Sequence, residues 1–200
     1  MEAEIKNDSS YFWRIGDITL RAAQKSDAAA FRAHFSDSPA WIERAYDRIG
    51  FPPTAEAVEN WLSDYAGAAA APAGAPGGDA RVFMIEGAGG EFLGFIDVWE
   101  ADCRNGVFRT GIKMLEGQSG KGRATKAFKR VLDFYFYELR YQKCDVYIYD
   151  FNEASLRFHK KLGFAEEGRQ RREYYSNGRF HDAVLLGLTI EAYKALTDGA

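Results

Sequence analysis

The sequence predicts an α+β (mixed α/β) domain, a mostly antiparallel sheet flanked by helices, and three observations carry that prediction. Apolar extended runs are joined by turns too short for a crossover helix, Gly87-Ala88-Gly89-Gly90 and Asn177-Gly178, which makes hairpins. Apolar residues recur at steps of three and four from Lys121 to about Arg140, the pattern of a long helix with one face for the sheet. The 200 residues, 46% hydrophobic and 15% aromatic, suffice for one core, so a single domain over 1–200 is expected, with its core at about 14–196.

In chain order, Ile18 to Ala22 reads as the first strand, and Ser26-Asp27 as the cap of a helix carrying Ala30, Phe31 and Phe35. Ser38-Pro39 looks like another helix start, and Thr54-Ala55-Glu56-Ala57 resembles a capping box before Val58, Trp61, Leu62 and Tyr65 at helical spacing. From Ala66 to Gly78 the chain turns to Ala, Gly and Pro, so a flexible surface loop is expected over 66–79. Ala80 to Glu86 and Phe92 to Val98 form the first hairpin, and Val107 to Leu115 the next strand. The long helix presents Ala124, Ala127, Phe128, Val131, Leu132, Tyr135 and Leu139 to the sheet. Cys144 to Tyr149 reads as a strand and Glu153 to Leu162 as a short helix, and the last hairpin joins Arg171–Ser176 to Arg179–Leu188.

Composition excludes several functions. Lys and Arg number 26 against 29 Asp and Glu, a formal charge of 26 − 29 = −3, without the cationic excess of a general nucleic-acid binder. Cys103 and Cys144 fit no C-x-x-C or Cys/His spacing, so neither a disulfide framework nor a metal site is expected. The opening MEAEIKNDSSYFWR has no apolar leader, and no run reaches the roughly 18 apolar residues that span a bilayer. A cytoplasmic protein is expected, a monomer or homodimer, with neither nucleic acid nor membrane as partner.

The most informative segment, Ile112 to Thr125, places a glycine turn between a strand and the long helix. Unpaired amides at a helix start, with the positive end of its dipole, bind phosphate oxygens. A Walker A loop does not fit, because Leu115 stands at the first glycine and Gly122 at the Ser or Thr that holds magnesium. A dinucleotide fingerprint from Gly120 and Gly122 meets Thr125 at its last glycine, and hairpin-joined strands precede it; a nucleotide-binding oxidoreductase is the weakest reading. Lys121, Arg123, Lys126, Lys129 and Arg130 crowd the helix start, where the dipole disfavours cations, so an anion is expected beside them.

Two motifs carry a family resemblance. Ser119-Gly120-Lys121-Gly122-Arg123-Ala124 resembles the acetyl-CoA loop of the GNAT N-acetyltransferases, R/Q-x-x-G-x-G/A, matching at Gly122 and Ala124 and departing at Ser119, with Gln118 one residue early. The segment from Asn152 to Phe164 resembles the family's N-x-x-S-x-x-x-Y-x-K-L-G-F at Asn152, Ser155, Lys161, Leu162, Gly163 and Phe164, with His159 where tyrosine is usual. The style is closest to the ribosomal-protein-alanine and spermidine acetyltransferase branch (RimJ/RimL-like). The likeness is firm from Val107 to Leu188 and extends to Ile18–Trp99 in element order alone.

The resemblance implies a GNAT fold with a twisted sheet of about seven strands and a splayed pair. It also implies acetyl-CoA as co-substrate, with no metal, and direct attack by a primary amine on the acetyl carbonyl. The amine would belong to a polyamine, an amino sugar, an amino acid or a protein N-terminus. Ile112, Lys113 and Met114 would bind the pantetheine arm, and Met114 would offer its N–H to the developing oxyanion. Ser119, Gly120, Lys121, Gly122, Arg123, Ala124 and Thr125 would cradle the pyrophosphate, with Asn152 and Ser155 near the cofactor arm. His159 takes the position of the leaving-group acid, as an imidazolium. Arg109 replaces the usual glutamate, which leaves Glu100, Asp97 or Glu116 to take the amine proton, Glu100 being placed with Met114 and His159 as catalytic. These departures also admit a non-catalytic acyl-CoA-binding module.

The last hairpin bears on the acceptor. A two-residue turn at Asn177-Gly178 sets Tyr175 against Phe180 and Glu173 against Asp182, and opposed carboxylates call for a cation, either Arg171, Arg172 or the acceptor ammonium. Arg169, Arg171 and Arg172 argue instead for an anionic acceptor such as a nucleotide-linked amino sugar.

Overall fold

The computed structural model describes residues 11–33, 53–70, 79–118, 120–176 and 178–197. Their strands are β1 (Arg14–Ile15), β2 (Ile18–Ala22), β3 (Arg81–Gly87), β4 (Phe92–Asp102), β5 (Val107–Met114), β6 (Lys143–Tyr149), β7 (Ala165–Ser176) and β8 (Arg179–Thr189). They form one eight-stranded sheet in the order β1-β2-β3-β4-β5-β6-β8-β7, parallel between β5 and β6 and antiparallel elsewhere. The helices are α1 (Ala28–Phe31), α2 (Ala55–Ala70), α3 (Arg123–Asp133), α4 (Glu153–Lys161) and α5 (Ile190–Thr197). Among the described residues, no helix is long and apolar enough to cross a membrane.

Strand alternation sorts the core onto two faces. On one face, Ile96 and Val98 of β4, Phe108 of β5 and Val146 of β6 pack under Phe128, Val131 and Leu132 of α3 and Tyr193 of α5. On the other, Val82, Met84 and Phe95 meet Ala28 and Phe31 of α1 and Val58 and Leu62 of α2.

Local chemistry moves several boundaries. A 3-10 turn, Lys25–Asp27, capped at Gln24, precedes α1; Asp27 stands at the N-cap position of α1 without a side-chain capping bond there, and instead accepts the Gln24 N–H at 2.8 Å as the third residue of the 3-10 turn. Thr54 does cap α2, its Oγ1 accepting the Ala57 N–H at 3.1 Å, but the reciprocal half of a capping box is missing because Ala57 has no side-chain acceptor. Helix α2 continues to Ala70, so 66–70 are helical where a loop is expected; alanine's propensity outweighs the neighbouring glycine. Residues 71–78, Phe35 and Ser38-Pro39 lie outside the described residues.

The long helix begins at Arg123, not Lys121, and after Asp133 it widens into one π turn, Phe134–Glu138, with the Leu139 N–H bonded to Phe134 O at 3.0 Å. That turn helps bury both Tyr135 and Phe136, and Tyr135 stacks on Phe108 with centroids 4.4 Å apart. The Tyr135 hydroxyl donates to the Asp79 carbonyl, and that of Tyr141 to the Asp79 carboxylate at 2.8 Å, which ties the start of β3 to the end of this helix. Strand β1 and helix α5 have no counterpart in the sequence reading, and β7 is longer than expected. Strand β7 starts at Ala165, six residues before the expected Arg171, and α5 closes over α3 through the Tyr193 hydroxyl and Asp133 at 2.7 Å.

Because Phe108 is buried against Tyr135, Phe136 and Tyr141, Phe108→Ala is expected to cost about 3–5 kcal/mol in urea unfolding. Phe180→Ala, at the half-exposed hairpin tip, should cost less than about 1 kcal/mol in the same measurement.

Candidate active site

Strand β5 stays paired with β4 to the pair Gly94 and Met114, but its register with β6 ends at Arg109 and Asp145. Beyond Arg109 the two parallel strands part. The Leu115 N–H bonds Leu93 O at 2.8 Å, which fixes the phase of the antiparallel ladder. Odd-numbered backbone groups of β5 therefore point to β4, and even-numbered ones, including the N–H and C=O of Ile112 and Met114, point into the splay. Lys113 does not share the expected arm-binding role: its backbone is spent on β4. Its ammonium lies on the opposite sheet face from α3, 3.9 Å from Asp97 and 5.0 Å above the Phe95 ring.

The loop after β5 supplies donors. Gly117, Gly120 and Gly122 have φ of 74°, 81° and 73°, a region that penalises side chains. Gly122 is the N-cap of α3 and no side chain caps the helix, so the amides of Arg123, Ala124 and Thr125 are left without intrahelical partners. Lys121 is exposed beside them, and Ser119 lies outside the described residues. The anion expected among the cations at this helix start is in part the protein's own. Asp17 pairs with Arg123 Nε at 2.7 Å and Lys126 Nζ at 3.1 Å, and these two hold its carboxyl down at about 2. Gln118, one residue early for the loop motif, instead accepts from Arg123 Nη1 at 2.9 Å.

Past β6, Asn152 caps α4, its Oδ1 accepting the Ser155 N–H at 3.1 Å. His159 follows on this helix, 3% exposed, edge-on to Phe128, Phe158 and Phe164 at 5.1–5.3 Å. Its Nδ1 sits 2.9 Å from Ser155 O, which assigns the ring proton to Nδ1. Burial pushes the imidazole down to about 4, and Nε2 has no hydrogen-bond partner. The ring is therefore neutral at physiological pH, contrary to the imidazolium acid expected of it; what it offers is a bare acceptor at Nε2.

Glu100 also departs from its expected role. It is exposed at a bulge, with φ of 48°, and is ion-paired with Arg109. Arg109 in turn donates to the Tyr147 hydroxyl at 2.7 Å and lies 4.5 Å over that ring, bridging β5 and β6 where they separate. No sequence signal pointed to Tyr147, because its closeness to Arg109 arises only from the parallel pairing of strands 38 residues apart. Asp97 differs from Glu100: its side chain is 15% exposed, Oδ1 is buried without a hydrogen-bond partner, and burial raises its carboxyl against the opposing pull of Lys113.

The terminal hairpin keeps the expected pair Tyr175 and Phe180, but Glu173 does not oppose Asp182. A bulge between Gln170 and Tyr174 sets Arg171, Arg172 and Glu173 against that one residue. Arg172, at φ of 57°, donates its backbone N–H to Asp182 at 2.9 Å while its guanidinium stacks 4.5 Å from the Phe180 ring. A peptide amide thus meets one oxygen of this carboxylate. Asn177 lies outside the described residues.

Residues 17–165 match the Acetyltransferase (GNAT) domain family. The chain is 30% identical over 183 residues to the SPbeta prophage-derived uncharacterized N-acetyltransferase YokL of Bacillus subtilis (strain 168), covering 92% of this chain and 96% of that one. It is 29% identical over 115 residues to spermidine N(1)-acetyltransferase of Escherichia coli (strain K12), covering 58% and 61%. Among solved structures, RimL, the ribosomal L7/L12 alpha-N-protein acetyltransferase in complex with coenzyme A, superposes with a TM-score of 0.78 at 19% identity over 89% of this chain and 97% of that one. A spermidine N-acetyltransferase from Vibrio cholerae, in complex with CoA and spermine, gives 0.73 at 21% identity over 90% and 99%.

The His159 environment fixes a sign. Its folded pKa lies below its unfolded value of 6.5, so its contribution is present above pH 6.5 and is lost as pH falls toward 4. The stability difference between wild type and His159→Phe should shrink by about 3 kcal/mol from pH 7 to pH 4, read by urea unfolding at each pH. A constant difference would show that the ring is not held neutral.

Proposed function

The chain belongs to the GNAT acetyltransferase family, and on that premise we propose that it binds acetyl-CoA in the splay between β5 and β6 and acetylates a primary amine there. The observation that carries this reading is the pair of even-numbered amides, Ile112 and Met114, opening toward the same gap that leads to the uncapped start of α3. Pantetheine would add to β5 as a strand does, through these two residues. The pyrophosphate would lie on the amides from Ser119 and Gly120 through Lys121, Gly122, Arg123 and Ala124 to Thr125. Asn152 spends Oδ1 on its cap and keeps its amide nitrogen for the cofactor arm, with Ser155 beside it.

Acetyl-CoA supplies an acyl group on a thioester. The protein's part is placement and charge. Met114 N–H would stabilise the oxygen as it becomes anionic, and holding the amine against the acyl carbon supplies much of the acceleration. With His159 neutral, the departing thiolate is left to take its proton from the amine or from water. Glu100 is exposed and engaged in an ion pair with Arg109, which speaks against it as the group that removes the amine proton.

The acceptor is a small amine or a protein N-terminus, classes that the named relatives represent with spermidine and a ribosomal protein. These relatives support a reading of the protein within the RimJ/RimL-like branch. We propose a cytoplasmic monomer or homodimer without a membrane partner, and the net charge of −3 supports the lack of a general nucleic-acid partner. The second reading, an acyl-CoA-binding module without catalysis, is favoured by one observation, the neutral buried His159 in place of the tyrosine acid.

Thiol release from acetyl-CoA, measured over a panel of polyamines, amino sugars, amino acids and N-terminal peptides, separates the two. Turnover with any amine supports the transferase; tight acetyl-CoA binding with silence across the panel supports the module. Gly122→Val, which puts a β-branched side chain at φ of 73° on the phosphate face, should weaken acetyl-CoA at least tenfold in calorimetric titration. Unchanged affinity in a folded variant would remove this loop from the site.

A further inference from the structure

Asp150 follows the last residue of β6, on the far wall of the gap proposed for the thioester. Strands β5 and β6 share a register of 107 with 143, 108 with 144 and 109 with 145; carried past the splay, it sets Ile112 level with Ile148 and Met114 level with Asp150. A turn closed by the Asn152 N–H on Tyr149 O at 2.9 Å takes Asp150 out of the strand. Its backbone stays fixed all the same, because its N–H donates to Asp182 O at 3.1 Å. The side chain is 33% exposed, so a substrate atom can reach it.

A chain of donors aims this carboxylate. Asp150 Oδ1 lies 3.2 Å from His181 Nδ1, and Arg179 Nε donates to His181 Nε2 at 3.3 Å. Arginine has no acceptor and keeps its protons, so Nε2 offers the lone pair and the ring hydrogen stands on Nδ1, toward Asp150. His181 is 6% exposed, paired with Tyr174 across the hairpin and met edge-on by Phe151 with ring centroids 4.4 Å apart. An imidazole buried there costs desolvation that an apolar side chain would not. What its two nitrogens return is a fixed direction for Asp150: Oδ1 is held, and Oδ2 is met by no donor among the described residues. Other carboxylates are engaged elsewhere, Glu100 by Arg109 and Asp182 by the Arg172 N–H.

Resting on the transferase reading, we infer that Asp150 takes the proton of the attacking amine, and that His181 and Arg179 are the positioning residues that aim it. The amine enters neutral, and its lone pair forms the C–N bond while the carbonyl pair moves onto the oxygen beside the Met114 N–H. The proton of the nitrogen passes to Asp150 Oδ2. The oxygen pair then re-forms the carbonyl as the C–S bond breaks, and the departing thiolate takes the proton from Asp150. An amide and a free thiol result, and the carboxylate is restored. The same group thus replaces both the missing glutamate at Arg109 and the acid that His159 does not supply.

Steady-state thiol release from acetyl-CoA tests this on the full chain, with spermidine, glucosamine, lysine and an alanine-headed peptide as acceptors. For each acceptor that wild type uses, Asp150→Asn and Asp150→Ala should lower kcat at least about a hundredfold while acetyl-CoA affinity stays within twofold. In Asp150→Ala, added formate, a carboxylate that fits the vacated space, should restore the rate at least tenfold. His181→Phe, which removes the donor from Oδ1, should lower kcat about tenfold, and His181→Asn, whose amide places an N–H near the position of Nδ1, should recover most of that loss. A kcat for Asp150→Asn within threefold of wild type, or a loss in Asp150→Ala that formate leaves untouched, would overturn the assignment of Asp150. Equal losses in His181→Phe and His181→Asn would overturn the positioning role. Silence of wild type with all four acceptors while acetyl-CoA binds would instead overturn the transferase reading itself.

Discussion

Everything proposed for this chain depends on the parting of two parallel strands. Strand β5 is committed to β4 as far as Met114, and β6 is committed to β8 as far as Tyr149 and Ala183, so each has its hydrogen bonds filled on its outer side. On their inner sides they share only the register from Val107 to Arg109. Past that point, a row of backbone donors and acceptors faces a gap that neither strand closes. Orphaned ladder groups are a cost in a folded sheet unless water or a ligand meets them. Arg109, clasping Tyr147 and Glu100, sits where the separation begins.

The gap and the glycine loop belong to one continuous piece of chain. Met114 ends β5, and Gly117, Gly120 and Gly122 turn the backbone through left-handed conformations into α3. Asp17 neutralises part of the positive charge there, so the phosphate site rests more on amides and dipole than on the lysines and arginines nearby. That division matters for recognition, because amides fixed by a helix start are already aimed before a ligand arrives, whereas exposed side chains must be ordered.

Much of this was legible in the sequence, and the failures have physical causes. The hairpins and the glycine loop are readable because each depends on a few adjacent residues. Which backbone groups of β5 face the gap depends on the phase of its pairing with β4, so motif position alone cannot separate Lys113 from Ile112 and Met114. The motif gives His159 its position, and only burial among three phenylalanines reveals a neutral ring. The opposition of Glu173 and Asp182 assumed an unbroken ladder, which the bulge at Arg172 shifts. Strand β7 begins earlier than its charged sequence suggests, because an edge strand has little need to alternate apolar and polar residues.

Residue-resolved amide hydrogen exchange with and without saturating acetyl-CoA tests the strand-addition geometry most directly. Ile112 and Met114, facing the gap, should gain protection on binding together with Arg123, Ala124 and Thr125, while Lys113, already bonded to β4, should stay as it was. Protection that includes Lys113 equally, or that spares Ile112 and Met114 while acetyl-CoA is bound, would contradict the placement of the cofactor in the splay.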